Sequence, residues 1–268
     1  MTATVIPLSS NRPALLGDGD PPPFEIVNPE GRARAVLFCD HASWAVPAAL
    51  DCLGLDESRL RLHVGWDIGA GDVTRRVAAL IDAPAVLAGY SRLVIDCNRP
   101  LDSPASILRV SDEVEIPGNR GVDDQAARAR ADACFRPYHD AVDDMIARVA
   151  RRAGPPAVIS MHSFTPMLDG FERPWHVGIL WDRDSRLAAP LIELLAADPA
   201  ICVGDNEPYS GRVPMPCSIP HHAVARNLPH VTVEIRQDLI DTHHGAEAWA
   251  NVMAAALIEV LAGQAPGS

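Results

Sequence analysis

Two histidines that follow short apolar runs are the residues of this chain best suited to chemistry. His41 comes directly after Ala35–Cys39, in Asp40-His41-Ala42-Ser43, and His162 follows the apolar run 157–161, in His162-Ser163-Phe164-Thr165-Pro166. Two neutral imidazoles and a carboxylate around a divalent ion, with one position open, make the ligand set of a hydrolytic zinc. Two carboxylates compete for the third place. Asp67, in His63-Val64-Gly65-Trp66-Asp67-Ile68-Gly69-Ala70, stands at a predicted helix start, where it would otherwise serve as an N-cap. Asp40 is its rival by adjacency to His41, and Asp67 is the preferred ligand. Glu234 lies inside the apolar run 231–235. A buried carboxylate without a partner is costly, so Glu234 either pairs with a base such as Arg236 or faces a site. In a metal hydrolase such a Glu takes the proton from water and passes it to the leaving amine.

Further polar groups cluster around these four. Arg92 and Arg99 flank the run 93–95, which leads into Asp96-Cys97-Asn98-Arg99-Pro100. A guanidinium fork suits a carboxylate, so one of the two can hold a substrate carboxylate and the other polarise a scissile carbonyl. The Gly- and Pro-bounded stretch 204–212 carries Asn206, Tyr209 and Arg212 and reads as a lid or specificity loop, or as a plain surface loop. His221 and His222 follow it, whereas His243 and His244 read as surface residues. Cys39 precedes Asp40-His41 and raises a thiol-nucleophile alternative, against which stands its place at the end of an apolar strand. No GxSxG elbow, P-loop or GxGxxG motif is present, so serine-hydrolase, NTPase and dinucleotide-binding readings lack their signatures.

The elements that must position these groups alternate. Short Val/Ile/Leu-rich runs at Ala35–Cys39, Ala85–Ala88, 93–95, 157–161, 177–181 and 231–235 predict strands covered on both faces. Helical spacing predicts helices over 67–81, 123–153, 185–197 and 246–261. Strands alternating with helices predict an α/β fold, a three-layer αβα domain over 24–262 with a mostly parallel or mixed central sheet. Ligands of such sheets bind beyond the carboxyl ends of the strands, which is where the polar clusters fall. Residues 1–23 read as a Pro-rich arm and 263–268 as a tail.

The chain has 268 residues and a net charge of −12 from 23 basic and 35 acidic side chains. Without a Lys/Arg run it offers no nucleic-acid surface, and no uninterrupted apolar stretch reaches the roughly 18 residues of a membrane span. Met1 to Leu8, with no basic n-region and only a brief apolar segment, does not read as a signal peptide, and six scattered cysteines form no CxxC pair. Reduced thiols and a cytoplasmic location are expected. A small anionic substrate would meet long-range repulsion, so local positive groups must win within a Debye length of roughly 8–10 Å.

Together, CDHASWAVP (39–47), HVGWDIGA (63–70), SRLVIDCNRP (91–100), MHSFTP (161–166), RPWHVGILWDRD (173–184), GDNEPYSGR (204–212) and LPHVTVEIRQDLI (228–240) resemble the N-formylglutamate amidohydrolase family. The resemblance implies a fold like that of zinc carboxypeptidases and aspartoacylase. It implies zinc-dependent hydrolysis of an N-acyl amino acid, N-formyl-L-glutamate above all. By the same resemblance His41 and His162 are metal ligands, Glu234 is the general base, Asn98-Arg99 holds the substrate carboxylate and Arg92 polarises the carbonyl. Carboxypeptidase-type sites carry Glu three residues after the first His. Trp44 occupies that position and cannot ligate, so the carboxylate must come from elsewhere, with Asp67 the candidate. Rival expectations are a metallo-carboxypeptidase, a deacylase of another N-acyl amino acid, or a non-catalytic metal-binding protein.

Overall fold

A computed structural model of the chain describes residues 15–212 and 218–263; most of the expected arm, the tail beyond 263 and Cys217 lie outside them. Seven strands form one sheet: β1 (Phe24–Val27), β2 (Ala35–Cys39), β3 (Ala85–Ala88), β4 (Ala157–Phe164), β5 (Val177–Leu180), β6 (Val203–Asp205) and β7 (His230–Arg236). Their spatial order is β1-β3-β2-β4-β7-β5-β6. The four central strands β3, β2, β4 and β7 run parallel, while β1 is antiparallel to β3 and β5 antiparallel to β7. The sheet is therefore mixed, with a parallel centre, and the fold is α/β as the alternating pattern requires.

Strand alternation divides the side chains between two covered faces. Leu37 and Cys39 of β2, Ile159 and Met161 of β4, and Val231, Val233 and Ile235 of β7 join the larger core with helices α1 (Ala70–Leu80), α4 (Ala188–Ala196) and α6 (His243–Gly263). Val36, Phe38 and Val158 face the other way, against Tyr138, Val142, Met145 and Val149 of α3 (Arg136–Ala153). Each fully buried aliphatic or aromatic side chain of this kind contributes about 1.5–3 kcal/mol. The predicted helix 123–153 is α2 (Asp124–Arg130) running through one wide turn, Ala131–Phe135, into α3. Asp123 caps it, its Oδ1 accepting from Ala126 N at 2.8 Å. By length and composition α6 passes as a candidate membrane span, although His243, His244, Glu247 and Glu259 interrupt its apolar residues. Its Ala246, Ala250, Met253, Leu257 and Val260 are instead buried in the larger core.

One predicted strand is absent. Leu93 and Val94 lie in a turn and Ile95 in the irregular chain after it, although all three are buried. They belong to a third apolar cluster, under the loops, with Leu53, Leu60 and Ile116. Their carbonyls find side-chain donors in place of a ladder: Asn119 Nδ2 donates to Leu93 O at 2.9 Å and Arg130 Nη1 to Val94 O at 3.0 Å. Burial, not strand pairing, accounts for that apolar run. Leu15 and Leu16 pack on the same cluster, so the described end of the arm is attached to the body.

Candidate active site

The parallel strands β2, β4 and β7 deliver the predicted chemistry to one place. Asp40 and His41 leave the end of β2. His162 lies within β4, which runs on to Phe164, and Glu234 sits opposite it in register on β7. Both therefore project from the same face, the one opposite α1 and α6. Asp67 does not cap a helix. Helix α1 starts at Ala70 behind Gly69, which takes a left-handed φ of 79°, and the loop before it carries Asp67 inward. That loop is pinned by Asp67 N to His41 O (3.0 Å) and by Ser163 Oγ to Ile68 O (2.9 Å).

Ligand atoms of His41, Asp67 and His162 all lie within 4.8 Å of one another, and all three residues are buried. Asp67 Oδ2 stands 3.3 Å from His41 Nδ1 and 2.7 Å from His162 Nδ1. The remaining nitrogen of each ring faces another carboxylate. His41 Nε2 is 2.7 Å from Asp96 Oδ1, and His162 Nε2 is 3.3 Å from Asp40 Oδ2 without the alignment of a hydrogen bond. This is how metal-binding imidazoles are oriented, with one nitrogen on the ion and the other on an acid. Asp40, the rival third ligand, thus lies behind His162, where its Oδ1 accepts from Tyr138 Oη (2.9 Å) and Ser218 Oγ (2.8 Å). Arg92 donates to Asp96 Oδ2 at 3.0 Å and reaches Asp67 Oδ1 at 3.5 Å.

The electrostatics call for positive charge. Burial alone would raise Asp67, Asp96 and Asp40, but neighbouring cations outweigh it: the His41 charge for Asp67, Arg92 for Asp96, and His162 for Asp40. All three carboxyls are held below their ordinary range. Burial works against charge on the two histidines as well, yet these carboxylates push both above their ordinary value. The three buried anions draw protons onto the imidazoles against the opposing charge of Arg92, and a divalent cation would offset the same excess. The donor set and geometry fit such an ion. Glu234 differs from the other acids: desolvation pushes it up to about 7, and its Oε2 is buried without a hydrogen-bond partner. Burial also pushes Cys39 up to about 12, so its thiol stays protonated and inert as a nucleophile.

The other predicted contacts are placed variously. Tyr209 is 42 % exposed, and its hydroxyl accepts from Arg173 Nη1 at 3.2 Å. Its loop lies over the sheet because β5 carries Gly178, the register neighbour of Glu234; a Cβ there would fall 2.0 Å from Glu207 O. Asn206 is a loop staple, its Oδ1 accepting from Trp181 N (3.0 Å) and Gly211 N (2.9 Å). Arg212 stacks on Trp181 at 4.8 Å. Asn98 Oδ1 accepts from Ser218 N at 3.0 Å. Arg99 lines a cavity of about 220 Å³ with Phe135, His139 and His221. Beyond that cavity Asp143, His221 and His222 form a second group with close ligand atoms. Arg226 Nη1 donates to Asp143 Oδ1 at 2.8 Å, so an ion pair already balances that acid. Sequence reasoning missed Asp96 as the partner of His41, although it stands in the Asp96–Pro100 cluster.

Fold and site together define an α/β protein with a buried histidine–carboxylate centre beside an unpartnered glutamate, at the carboxyl end of a parallel sheet core. The family model of N-formylglutamate amidohydrolases matches residues 33–241, and the chain belongs to that family of amidohydrolases. Among solved structures it is similar to the gene product Atu2144 of Agrobacterium tumefaciens, with 33 % identity, 93 % of this chain and 99 % of that one covered, and a TM-score of 0.88. It shares its fold with the N-formylglutamate amidohydrolase of Ralstonia eutropha JMP134, at 20 % identity, with 90 % and 97 % covered and a TM-score of 0.72. No curated protein matches the chain significantly.

Proposed function

We propose that this chain is a divalent-metal-dependent amidohydrolase that cleaves N-formyl-L-glutamate to formate and glutamate. His41, Asp67 and His162 would hold the ion, and two imidazoles with one carboxylate suit zinc. Bound there, the ion supplies Lewis acidity for the acyl carbonyl and lowers the pKa of water to about 7. Glu234 takes the proton of the attacking water, for which an acid raised to about 7 is matched to neutral pH. It then delivers that proton to the departing amine. Arg92, held by Asp96 and Asp67, faces the charge that develops on the acyl oxygen, a role typically worth about 3–4 kcal/mol per donor. Asp96 and Asp40 orient the two imidazoles. Following the family resemblance, Asn98 and Arg99 are assigned to a substrate carboxylate. Residues 24–262 act as one catalytic domain, and the five described cysteines, all free, support a cytoplasmic location.

The observation that carries the proposal is the meeting of His41, Asp67 and His162 within 4.8 Å, next in register to an acid with no partner of its own. Elemental analysis of the purified protein, with formate release assayed before and after chelation, tests it. One divalent ion per chain and activity lost on chelation and restored by zinc are expected. An active protein free of divalent metal and indifferent to chelators overturns it. Faster cleavage of a dipeptide, or of another N-acyl amino acid, replaces the formyl substrate with that one.

A further inference from the structure

Of the cavity beside Arg99, the mechanism uses that one guanidinium and nothing else. The cavity measures about 220 Å³ and adjoins the catalytic centre through two walls. On one, Asn98 N, next to Arg99, donates to Asp96 Oδ1 at 2.8 Å, and Asp96 is the acid at His41 Nε2. On the other, Ser218 Oγ donates to Asp40 Oδ1 at 2.8 Å, and Asp40 is the acid that faces His162 Nε2. The Asn98 side chain ties the walls together, its Oδ1 accepting from Ser218 N at 3.0 Å. Phe135 reaches the cavity from the wide turn at which α2 passes into α3, a distortion that recurs at functional sites.

What this cavity offers a ligand is mainly carbon. His139 spends both ring nitrogens elsewhere: Nε2 donates to Cys97 O at 2.9 Å, and Nδ1 accepts from His222 Nε2 at 2.8 Å. Burial lowers it to about 4, so its ring is uncharged at neutral pH. The Ser218 hydroxyl is taken by Asp40 and Cys97 O. Pro100 and Pro220 add rings without an N–H donor. Three aromatic rings stand around the space. The centroids of Phe135 and His139 are 4.1 Å apart, and His221 meets His139 edge to face at 5.8 Å. Among the described residues no acid and no guanidinium besides Arg99 lines it. Rings so arranged take a further aromatic ring in the same geometry. A cavity of about 150 Å³ already holds benzene. A carboxylate carried past Arg99 would give up water for a lining of rings, which is costly, so the space suits a ring rather than an acid.

We propose that this cavity receives an aromatic side chain of the departing amino acid, so that the enzyme hydrolyses N-formyl derivatives of aromatic amino acids in addition to N-formyl-L-glutamate. The proposal rests on the amidohydrolase reading and widens its substrate class. With the substrate carboxylate on Arg99, the ring enters beside it, and a guanidinium plane also stacks on aromatic faces. Water adds across the amide C–N bond, its oxygen to the formyl carbon and a proton to the amine. The products are formate and the free aromatic amino acid.

Turnover and binding by the metal-loaded protein test it. Formate release from N-formyl-L-phenylalanine, N-formyl-L-alanine and N-formyl-L-glutamate is compared for wild type and two variants. His221→Trp fills the cavity from an exposed position, and Phe135→Leu keeps bulk but loses the ring. Wild type is expected to prefer the phenylalanine derivative to the alanine one at least tenfold in kcat/KM. His221→Trp should abolish that preference while turnover of N-formyl-L-alanine stays within threefold of wild type, and Phe135→Leu should reduce it less. Calorimetric titration with 3-phenylpropionate, which has the ring and carboxylate but no amide, should show binding that N-formyl-L-alanine competes away and that His221→Trp weakens at least tenfold. A phenylalanine preference below tenfold, or one that His221→Trp leaves intact, overturns the proposal. So does 3-phenylpropionate binding that substrate does not displace, which assigns the cavity to an effector. Cleavage of N-formyl-L-glutamate without the aromatic preference removes the pocket and keeps the amidohydrolase reading. His221-dependent binding of 3-phenylpropionate by a protein that hydrolyses none of the three substrates keeps the pocket and removes that reading.

Discussion

Replacing Glu234 with Gln should make the metal-free protein more stable while disabling it as a catalyst. The carboxyl is 8 % exposed, its Oε2 has no hydrogen-bond partner, and desolvation raises it from 4.5 to about 7. Between those values the folded protein keeps a proton that the unfolded chain releases. Stability therefore falls as pH rises through the window, by about 1.4 kcal/mol per pH unit. Above pH 7 the accumulated loss is about 3 kcal/mol, and Gln, which does not titrate, avoids it. In a chain of this size that is worth roughly 5–10 °C in melting temperature. Calorimetric melting of chelator-treated wild type and variant at pH 4.5 and pH 8 measures the difference, expected to be small at the lower pH and to favour Glu234→Gln at the higher. Formate release by the metal-loaded variant should fall about 10²–10⁴-fold, the usual contribution of a general base. Its metal content should stay that of wild type, because Glu234 is not among the three ligands. A variant less stable than wild type at pH 8, or one with kcat within tenfold of it, refutes both the unpartnered burial and the role as base.

Other residues carry shorter tests. Asp96→Asn weakens the acid that faces His41 Nε2 at 2.7 Å, and metal affinity in competition with a chelator should drop about 10–100-fold; unchanged affinity contradicts the orienting role. Gly178→Ala puts a Cβ 2.0 Å from Glu207 O. The Tyr209 loop must then move, with an expected stability loss of about 1–3 kcal/mol and a raised KM; a variant with wild-type values of both shows that the loop is free to shift. Burial lowers His139 to about 4, and its Nε2 donates to Cys97 O at 2.9 Å, so its Nδ1 must accept from His222 Nε2 at 2.8 Å. The unfolded chain protonates this residue near pH 6.5 and the folded one does not, so stability falls as pH drops from 6.5 to 4, by up to about 3 kcal/mol. His139→Gln should flatten the denaturant midpoint over that range, and an unchanged slope shows that other groups carry the acid sensitivity.

The parts of this molecule that the sequence made legible are those in which composition has one physical outcome. Val231–Ile235 is too apolar and too β-branched to be anything but an inner strand, and an acid within it must face a site or a partner. His41 and His162 could be paired because both sit at the carboxyl ends of such runs. Residues 93–95 show the limit. Three buried apolar residues look the same whether a ladder or side-chain donors satisfy their backbone, and the donors, Asn119 and Arg130, lie far along the chain. The edge strands escaped notice for a related reason: Phe24–Val27 contains Glu25, Val203–Asp205 contains Gly204, and each has only one neighbour to pair with. Asn206 was chosen for its polarity, whereas its left-handed φ of 58° and two backbone donors make it a turn residue.

What distinguishes the site from an ordinary ion-pair cluster is where its charges go unanswered. A structural network of acids and bases closes on itself, as Asp143 does with Arg226 and His222 at 2.8 and 2.5 Å. Around His41 and His162 the count does not close. Asp40, Asp67 and Asp96 are all at most 4 % exposed, and Arg92 forms ion pairs with Asp67 and Asp96. Asp40 Oδ2, His162 Nε2 and Glu234 Oε2 lack hydrogen bonds within the same few ångströms. Charges of this kind persist in a folded protein only where something else completes them, since each unsatisfied group costs about 1–3 kcal/mol and charged ones more. On the proposed reading, a divalent ion held by His41, Asp67 and His162 would complete the first deficit. The proposed role as general base would make use of the second, at Glu234.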